Sequence, residues 1–154
     1  MTVGAGRRAA CVAGALAILC GPLAATAPAA GVRFVGETED GRKVKLVADG
    51  RGEVIRGAIT TETTCTSGFD PFRARVEFRA PLDRSGPRGF RDKSSYVEED
   101  DRFSARYRYK VEAGRESKRV FAGELTLEIT FRRNGEEYTT CTAEDVVFGA
   151  ERSR

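Results

Sequence analysis

The sequence predicts an all-β fold, either an antiparallel β-sandwich or a small closed β-barrel of about seven or eight strands, after an N-terminal signal peptide. Apolar and polar residues alternate with a period of two over several runs, and glycine-containing turns separate those runs. No long stretch has helical periodicity. We therefore expect a signal peptide at residues 1–30 and a single all-β domain at residues 31–154.

The first thirty residues have the composition of a secretory signal. Arg7 and Arg8 are followed by an uncharged apolar stretch, which Pro22 ends before small residues suited to cleavage. The alternative is an uncleaved membrane anchor, but the prolines and scattered small residues make a poor spanning helix. We expect cleavage at about residues 27–30, a secreted or cell-envelope location, and no membrane contact by the mature chain.

The charge balance argues against a nucleic-acid partner. The full chain contains 26 Lys+Arg and 23 Asp+Glu. Because the signal contains two arginines and no acid, the remainder has 24 basic and 23 acidic residues, a net charge of +1. Such a balanced surface lacks the strong positive field of nucleic-acid-binding domains.

Cys65 and Cys141 are the cysteines left once the signal, with Cys11 and Cys20, is removed. Zinc would lack ligands because the chain contains no His, and the wide separation excludes a redox CxxC motif. A cysteine nucleophile would lack its usual imidazole base. Since exported domains with two cysteines most simply form one disulfide, we predict a Cys65–Cys141 bond.

The strands follow in order along the chain. Asp40-Gly41 lies between the runs VRFVGET and KVKLVA and is a hairpin signal, and VIRGAITTETTC then completes a three-stranded meander. FRARVEFRA alternates cleanly, whereas PLDRSGPRGFRDKSS and the following YVEEDD are expected to be a loop. RFSARYRYKVEA and VFAGELTLEITF alternate again, and DVVFGA is a last short run.

Asn134-Gly135 is a preferred type I′ turn pair, so the chain should fold straight back there. A two-residue loop places Phe131 opposite Tyr138 but Cys141 opposite Glu128, on the polar face. Either a β-bulge shifts the strand after Tyr138, or the disulfide lies on an outer surface. We favour the bulge, because one inserted residue moves every later side chain to the other face.

An acidic run is the first candidate binding site. Calcium prefers clustered carboxylate oxygens, but the run lacks the spacing and Gly of an EF-hand and also fits a solvated loop that protects a sheet edge. Carboxylate pairs for glycoside hydrolysis could come from this run or from Glu124 and Glu128. The run consists of Glu98, Glu99, Asp100 and Asp101.

An anion-binding face on two strands is the second candidate site. If the strands at residues 71–79 and 102–112 are neighbours, their basic residues merge into a patch suited to phosphate, sulfate or carboxylate. If they are not neighbours, or if Glu77 and Glu112 lie between the cations, the surface is a solvated sheet face with ion pairs. The predicted face consists of Arg73, Arg75, Arg79, Arg106, Arg108 and Lys110.

Several positions together resemble a loose group of small exported proteins from high-GC bacteria, and the bias towards Arg, Ala and Gly is similar. The resemblance implies a β-sandwich or barrel with one disulfide, and it assigns no functional residue. The positions are Phe34, Gly36, Thr38, Asp40, Gly41, Arg42, Cys65, Phe103, Gly123, Leu125 and Cys141.

We therefore expect a secreted or envelope-associated non-enzymatic binding module without a cofactor, whose partner is an anionic envelope polymer or a protein. The alternative is a small extracellular hydrolase or calcium-dependent binder that uses the acidic run at residues 98–101. Since the chain has no His, acid–base chemistry would depend on carboxylates, Tyr or Lys. A pocket with two or more carboxylates would favour the alternative, and flat charged faces over a filled core would favour the binding module.

Overall fold

The computed structural model describes residues 31–67, 69–100 and 102–154, and the predicted signal lies outside them. Within these ranges the chain forms antiparallel strands and no helix, so the predicted all-β class is confirmed. No described helix could therefore cross a membrane. The strands are β1 (Val32–Thr38), β2 (Lys43–Ala48), β3 (Val54–Cys65), β4 (Phe72–Arg79), β5 (Asp83–Ser85), β6 (Gly89–Glu99), β7 (Phe103–Arg115), β8 (Val120–Arg133) and β9 (Glu136–Arg152).

The nine strands of the described ranges form one sheet in the order β4-β3-β2-β1-β9-β8-β7-β6-β5. The sheet curls, because β4 at one edge packs against strands near the other. The ring centroids of Phe78 on β4 and Phe90 on β6 are 5.3 Å apart, and those of Phe72 on β4 and Phe131 on β8 are 5.8 Å apart. The inner face holds the core, whose largest fully buried side chains include Phe34, Phe121, Phe148, Leu46, Ile59, Leu125, Leu127 and Ile129.

The β1–β2 hairpin lies between β3 and β9, and the predicted meander of β1, β2 and β3 is confirmed. β2 pairs with β3, β1 pairs with β9, and beyond the hairpin tip β3 and β9 pair directly. Asp40 attaches the tip to β3, since its Oδ2 accepts the Glu62 N–H at 2.8 Å. Burial opposes ionisation of Asp40, but hydrogen bonds from the Thr38 hydroxyl and the Glu62 amide outweigh it and lower the pKa.

The predicted disulfide is present where β3 meets β9. The Sγ atoms of Cys65 and Cys141 are 2.06 Å apart and their Cα atoms are 3.9 Å apart, within the limit of about 7 Å for a bridge. The two residues face each other in the strand register. Cys141 also faces Ile129 on β8 and is fully buried, so the bond lies on the core side of the sheet.

The β-bulge that the cysteine position indicated is also present. Arg132 on β8 faces Glu137, but Phe131 faces Thr139, so Tyr138 is the inserted residue. The predicted Phe131–Tyr138 cross-strand pair is therefore wrong. Both rings instead contact Phe69, with centroid distances of 6.3 Å from Phe131 and 5.5 Å from Tyr138.

The long loop expected after β4 is wrong, because residues 83–85 and 89–99 form β5 and β6. β6 pairs with β7 over its length, from Phe90 opposite Ala113 to Glu99 opposite Ser104. Only the three-residue β5 covers its other edge, and most β6 side chains are exposed on both faces. A strand with an open edge and little buried surface needs no apolar alternation. The separate last run predicted at DVVFGA is also wrong, because it continues the strand that follows Asn134-Gly135 and both belong to β9. With β5 and β6 added, the described ranges contain nine strands instead of seven or eight.

Candidate functional site

The two basic strands of the predicted anion-binding face are not neighbours. β4 is an edge strand paired with β3, whereas β7 lies between β6 and β8. β4 and β7 approach each other through the inner face, where the Tyr109 hydroxyl oxygen on β7 lies 3.4 Å from the Glu77 carbonyl oxygen on β4 and donates its hydrogen to Asp92 Oδ2 at 2.7 Å. Their outward-facing basic residues therefore lie on different sides of the curled sheet and do not merge into one patch.

In the β7 half of the predicted face, Arg108 and Lys110 are ion-paired, whereas Arg106 lies opposite Val97 and Thr130. Arg108 Nη1 lies 3.3 Å from Glu128 Oε1, and Lys110 Nζ lies 3.8 Å from Glu112 Oε2. Arg91 on β6 also donates to both oxygens of Glu112, at 2.9 and 3.2 Å. This hydrogen bonding, followed by that from Ser85, lowers the pKa of Glu112 to about 2.

The β4 half belongs to a different cluster, on the outer face of β1–β4. A shallow groove of about 530 Å³ crosses these four strands, and one carboxylate, Glu77, lines it. Glu77 is bonded to Arg75 at 2.8 Å. Arg73 lies outside the groove, opposite Glu62. We call the basic residues that line the groove the cationic face: Arg33, Lys45, Arg56, Arg75 and Arg79.

Strand register brings these residues together. In one row across the sheet, Arg33 faces Val47, Val47 faces Arg56, and Arg56 faces Arg79. Because neighbouring strands are about 4.8 Å apart, the three arginines start within about 15 Å of one another. The next row consists of Val35, Lys45, Ala58 and Glu77.

Arg56 and Arg79 are directly opposed like charges, an arrangement that destabilises a sheet. Within the described part of the chain, neither has an ion-pair partner, and the same holds for Arg33 and Lys45. Guanidinium groups form bidentate, charge-assisted hydrogen bonds with phosphate, sulfate and carboxylate. The cationic face can therefore bind an anion that bridges neighbouring strands.

The acidic run is divided between a strand and a turn. Glu98 and Glu99 end β6, Asp100 donates its N–H to the Phe103 carbonyl at 2.8 Å, and Asp101 lies outside the described residues. Among the residues that the structure describes, no group of three or more His, Cys, Asp or Glu is arranged to hold a metal ion. Glu98 instead accepts a hydrogen bond from the Tyr107 hydroxyl at 3.2 Å. Burial, followed by the charge of Glu98, raises the pKa of Tyr107 to about 12.

The other carboxylate pair considered for glycoside hydrolysis lies on β8. Glu124 and Glu128 are four residues apart on one strand, so their backbones are about 13 Å apart. Glycosidase carboxylates are only about 5–9.5 Å apart. Glu128 is also ion-paired with Arg108 at 3.3 Å.

Sequence reasoning identified Arg75 and Arg79 but missed Arg33, Lys45 and Arg56. Each missed residue is the one basic residue that its strand contributes to the groove, and Arg33 and Arg56 have no basic residue within two positions in the sequence, although Lys45 follows Arg42 and Lys43. One feature of the sequence could have identified them. The alternation of apolar and polar residues places Arg33 and Lys45 on the outward faces of β1 and β2, and Arg56 on the outward face near the start of β3.

No family model, curated protein or solved structure matches this chain. The function is therefore inferred from the geometry of the chain itself.

Proposed function

We propose that this chain is an exported, non-enzymatic β domain that binds an anionic polymer of the cell envelope through the cationic face. The carrying observation is the opposed pair Arg56 and Arg79, in a row with Arg33 and without a carboxylate partner in the described ranges. An anion between the two guanidinium groups would offset their repulsion and form bidentate hydrogen bonds.

A polymer suits the face better than a single small anion. The groove is shallow and crosses four strands, so its cations present several separate points of contact. Each contact is exposed to solvent and screened by salt, and is therefore weak alone. A chain of repeated negative charges engages several contacts at once and gains avidity.

Two features support an extracytoplasmic location. The first thirty residues have the regions of a secretory signal, and the Cys65–Cys141 bond is typical of oxidising compartments. We expect the secreted protein to begin near residues 28–31, which mass spectrometry of the extracellular fraction would measure. An intact Met1 on membrane-bound protein would contradict export with cleavage.

The binding proposal is tested by retention on immobilised heparin and on poly(glycerol phosphate) teichoic acid. We expect retention at low salt and release as the salt rises past about 0.1 M, where the Debye length falls to about 10 Å. The double variant Arg56→Gln/Arg79→Gln should elute at clearly lower salt. The matched control is Arg106→Gln/Arg108→Gln, which removes the same charge from the outer face of β7.

Equal loss of retention in both double variants would mean that net charge, not the cationic face, holds the polymer. Unchanged retention in the Arg56/Arg79 variant would refute the site. Circular dichroism of each variant would show whether the sheet is intact, since all four side chains are exposed and their replacement should not unfold it.

A further inference from the structure

A cavity of about 560 Å³ lies at the end of the sheet where β3 begins. This end is opposite the disulfide, because Val54 and Cys65 are the first and last residues of β3. Four connections surround it: β2–β3, β4–β5, β5–β6 and β7–β8. The volume lies within the range of small-molecule pockets, about 300–1,000 Å³. We call this space the end cavity.

The floor of the end cavity is apolar. Val54, Phe90 and Phe121 line it and belong to the buried core. The ring centroids of Phe90 and Phe121 are 6.4 Å apart, and Leu82 packs against the same core from the β4–β5 connection. Because these floor residues are almost fully buried, the apolar surface that an alkyl or aryl group would cover comes from Ile55, Pro81 and Leu82, which line the same cavity and are open to solvent.

The rim of the end cavity is basic. Two acids, Glu53 and Asp83, line the cavity, and Glu53 is ion-paired with Arg84, which joins the β2–β3 turn to β5. Arg51, Arg88 and Lys118 form no ion pair within the described ranges. The five basic residues of the rim are Arg51, Arg84, Arg88, Arg115 and Lys118.

Arg115 is held in place above the floor. Its Cζ lies 5.7 Å from the centroid of the Phe121 ring, and its Nε and Nη2 donate to the carbonyl oxygens of Ser117 and Lys118 at 3.0 and 2.9 Å. Gly52 leaves room for the guanidinium, since a Cβ there would lie 2.1 Å from Nη1. Carbonyl partners fix the group without neutralising its charge, so a preorganised cation remains beside an apolar surface.

We propose that the end cavity binds a small amphiphilic anion, with its phosphate, sulfate or carboxylate head at Arg115 and the rim cations. The apolar body of this ligand covers Ile55, Pro81 and Leu82. Neither the rim nor the floor would bind the ligand tightly alone. Solvent and salt screen the charges of the rim, and the floor has no polar group that would orient the ligand. The site is separate from the cationic face, so either proposal can fail without the other.

The test uses the secreted chain, after removal of the signal, and decyl phosphate below its micellar concentration. Binding is followed by amide chemical shifts in NMR. We expect saturable shifts confined to residues 51–54, 82–90 and 115–121, which surround the end cavity. Inorganic phosphate carries only the head and 1-decanol only the body, so each should bind at least about tenfold more weakly. Decanoate shows whether a carboxylate head serves as well as a phosphate.

Two variants test the role of the rim. Arg115→Gln should weaken decyl phosphate binding about tenfold, since it removes a charge-assisted hydrogen bond. Arg88→Gln should also weaken decyl phosphate binding. The Arg88 side chain is exposed and has no ion pair among the described residues, so its replacement should leave the fold intact. Arg106→Gln on β7 is the control and should bind as the unmodified chain does.

Three results would overturn the proposal: no saturable shifts at the end cavity, binding of 1-decanol as tight as that of decyl phosphate, or unchanged binding by the folded Arg115→Gln and Arg88→Gln variants. Retention of these two variants on heparin tests separately whether the cationic face still binds a polyanion. It should stay close to that of the unmodified chain.

Discussion

Arg56 on β3 faces Arg79 on β4 directly, and neither guanidinium is bonded to a carboxylate within the described ranges. Six positions earlier in β4, Arg73 faces the opposite charge of Glu62, whose carboxylate is ion-paired with Arg42. The two ends of one strand pair therefore differ in charge complementarity. The end with opposed cations is the one that lines the groove of the cationic face.

Replacement of Arg79 by Thr should separate stability from binding. Arg79→Thr removes the repulsion with Arg56 and introduces a good strand former, so the free energy of unfolding should rise by about 0.5 kcal/mol. Retention on heparin should fall. Urea denaturation measures the first effect, and Arg73→Thr, which removes a cation that faces Glu62, is the control without a stability gain. A lower free energy of unfolding in Arg79→Thr would contradict the claim that repulsion between Arg56 and Arg79 destabilises the sheet.

The disulfide should supply a large part of the stability. It closes a loop of 76 residues in the unfolded chain, for which the chain-entropy model gives about 4 kcal/mol. Reduction, or the double variant Cys65→Ala/Cys141→Ala, should lower the free energy of unfolding by up to that amount in denaturant titrations. If alkylation of denatured, unreduced protein labels both thiols, the bond is absent in the purified protein.

The pKa of Glu112 predicts a loss of stability in acid. The folded-state pKa is about 2 and the reference value is 4.5, so the unfolded chain takes up the proton first. The contribution of Glu112 is therefore complete above about pH 4.5 and is lost as the pH falls towards 2. In Glu112→Gln the fall in stability between these pH values should be shallower than in the unmodified chain. Parallel pH profiles in thermal unfolding would argue against the Arg91–Glu112 pair.

Two glycines on paired strands offer a matched test of close backbone packing. A Cβ at Gly36 on β1 would lie 1.9 Å from the carbonyl oxygen of Gly149 on β9, whereas a Cβ at Gly149 would meet nothing within 4 Å. Gly36→Ala should therefore lower the free energy of unfolding by about 1–3 kcal/mol, because the strands must separate. Gly149→Ala should be close to neutral in thermal unfolding. Similar midpoints for the two variants would argue against a close approach of β1 and β9 at Gly36.

The sequence predicted those parts of the fold whose side chains divide cleanly between core and solvent. β4 and β8 alternate because each has one buried face, and the position of Cys141 indicated the bulge at Tyr138. β6 was missed because its partner β7 supplies the pairing while most of its own side chains stay in water. A strand whose outer edge is covered by only three residues can carry the composition of a loop.

The candidate site was only half predictable, for a different physical reason. Periodicity places Arg75 and Arg79 on one face of a strand, but it says nothing about which strand lies beside it. The contributions of Arg33 and Arg56 depend on register across β1–β4, which is fixed by turns and core packing. The end cavity is still less visible in sequence, since four separate connections build it.

The position of the β1–β2 hairpin between β3 and β9 also sets an order of assembly. β1 has a partner on only one side until β9 arrives, because Gly36 pairs with Ala150 near the end of the chain. Pairing between such distant segments is slow, and the N-terminal meander keeps an open edge throughout synthesis. The last strand therefore closes the structure, and a nascent chain would need its bare β1 edge shielded until residue 152 has emerged.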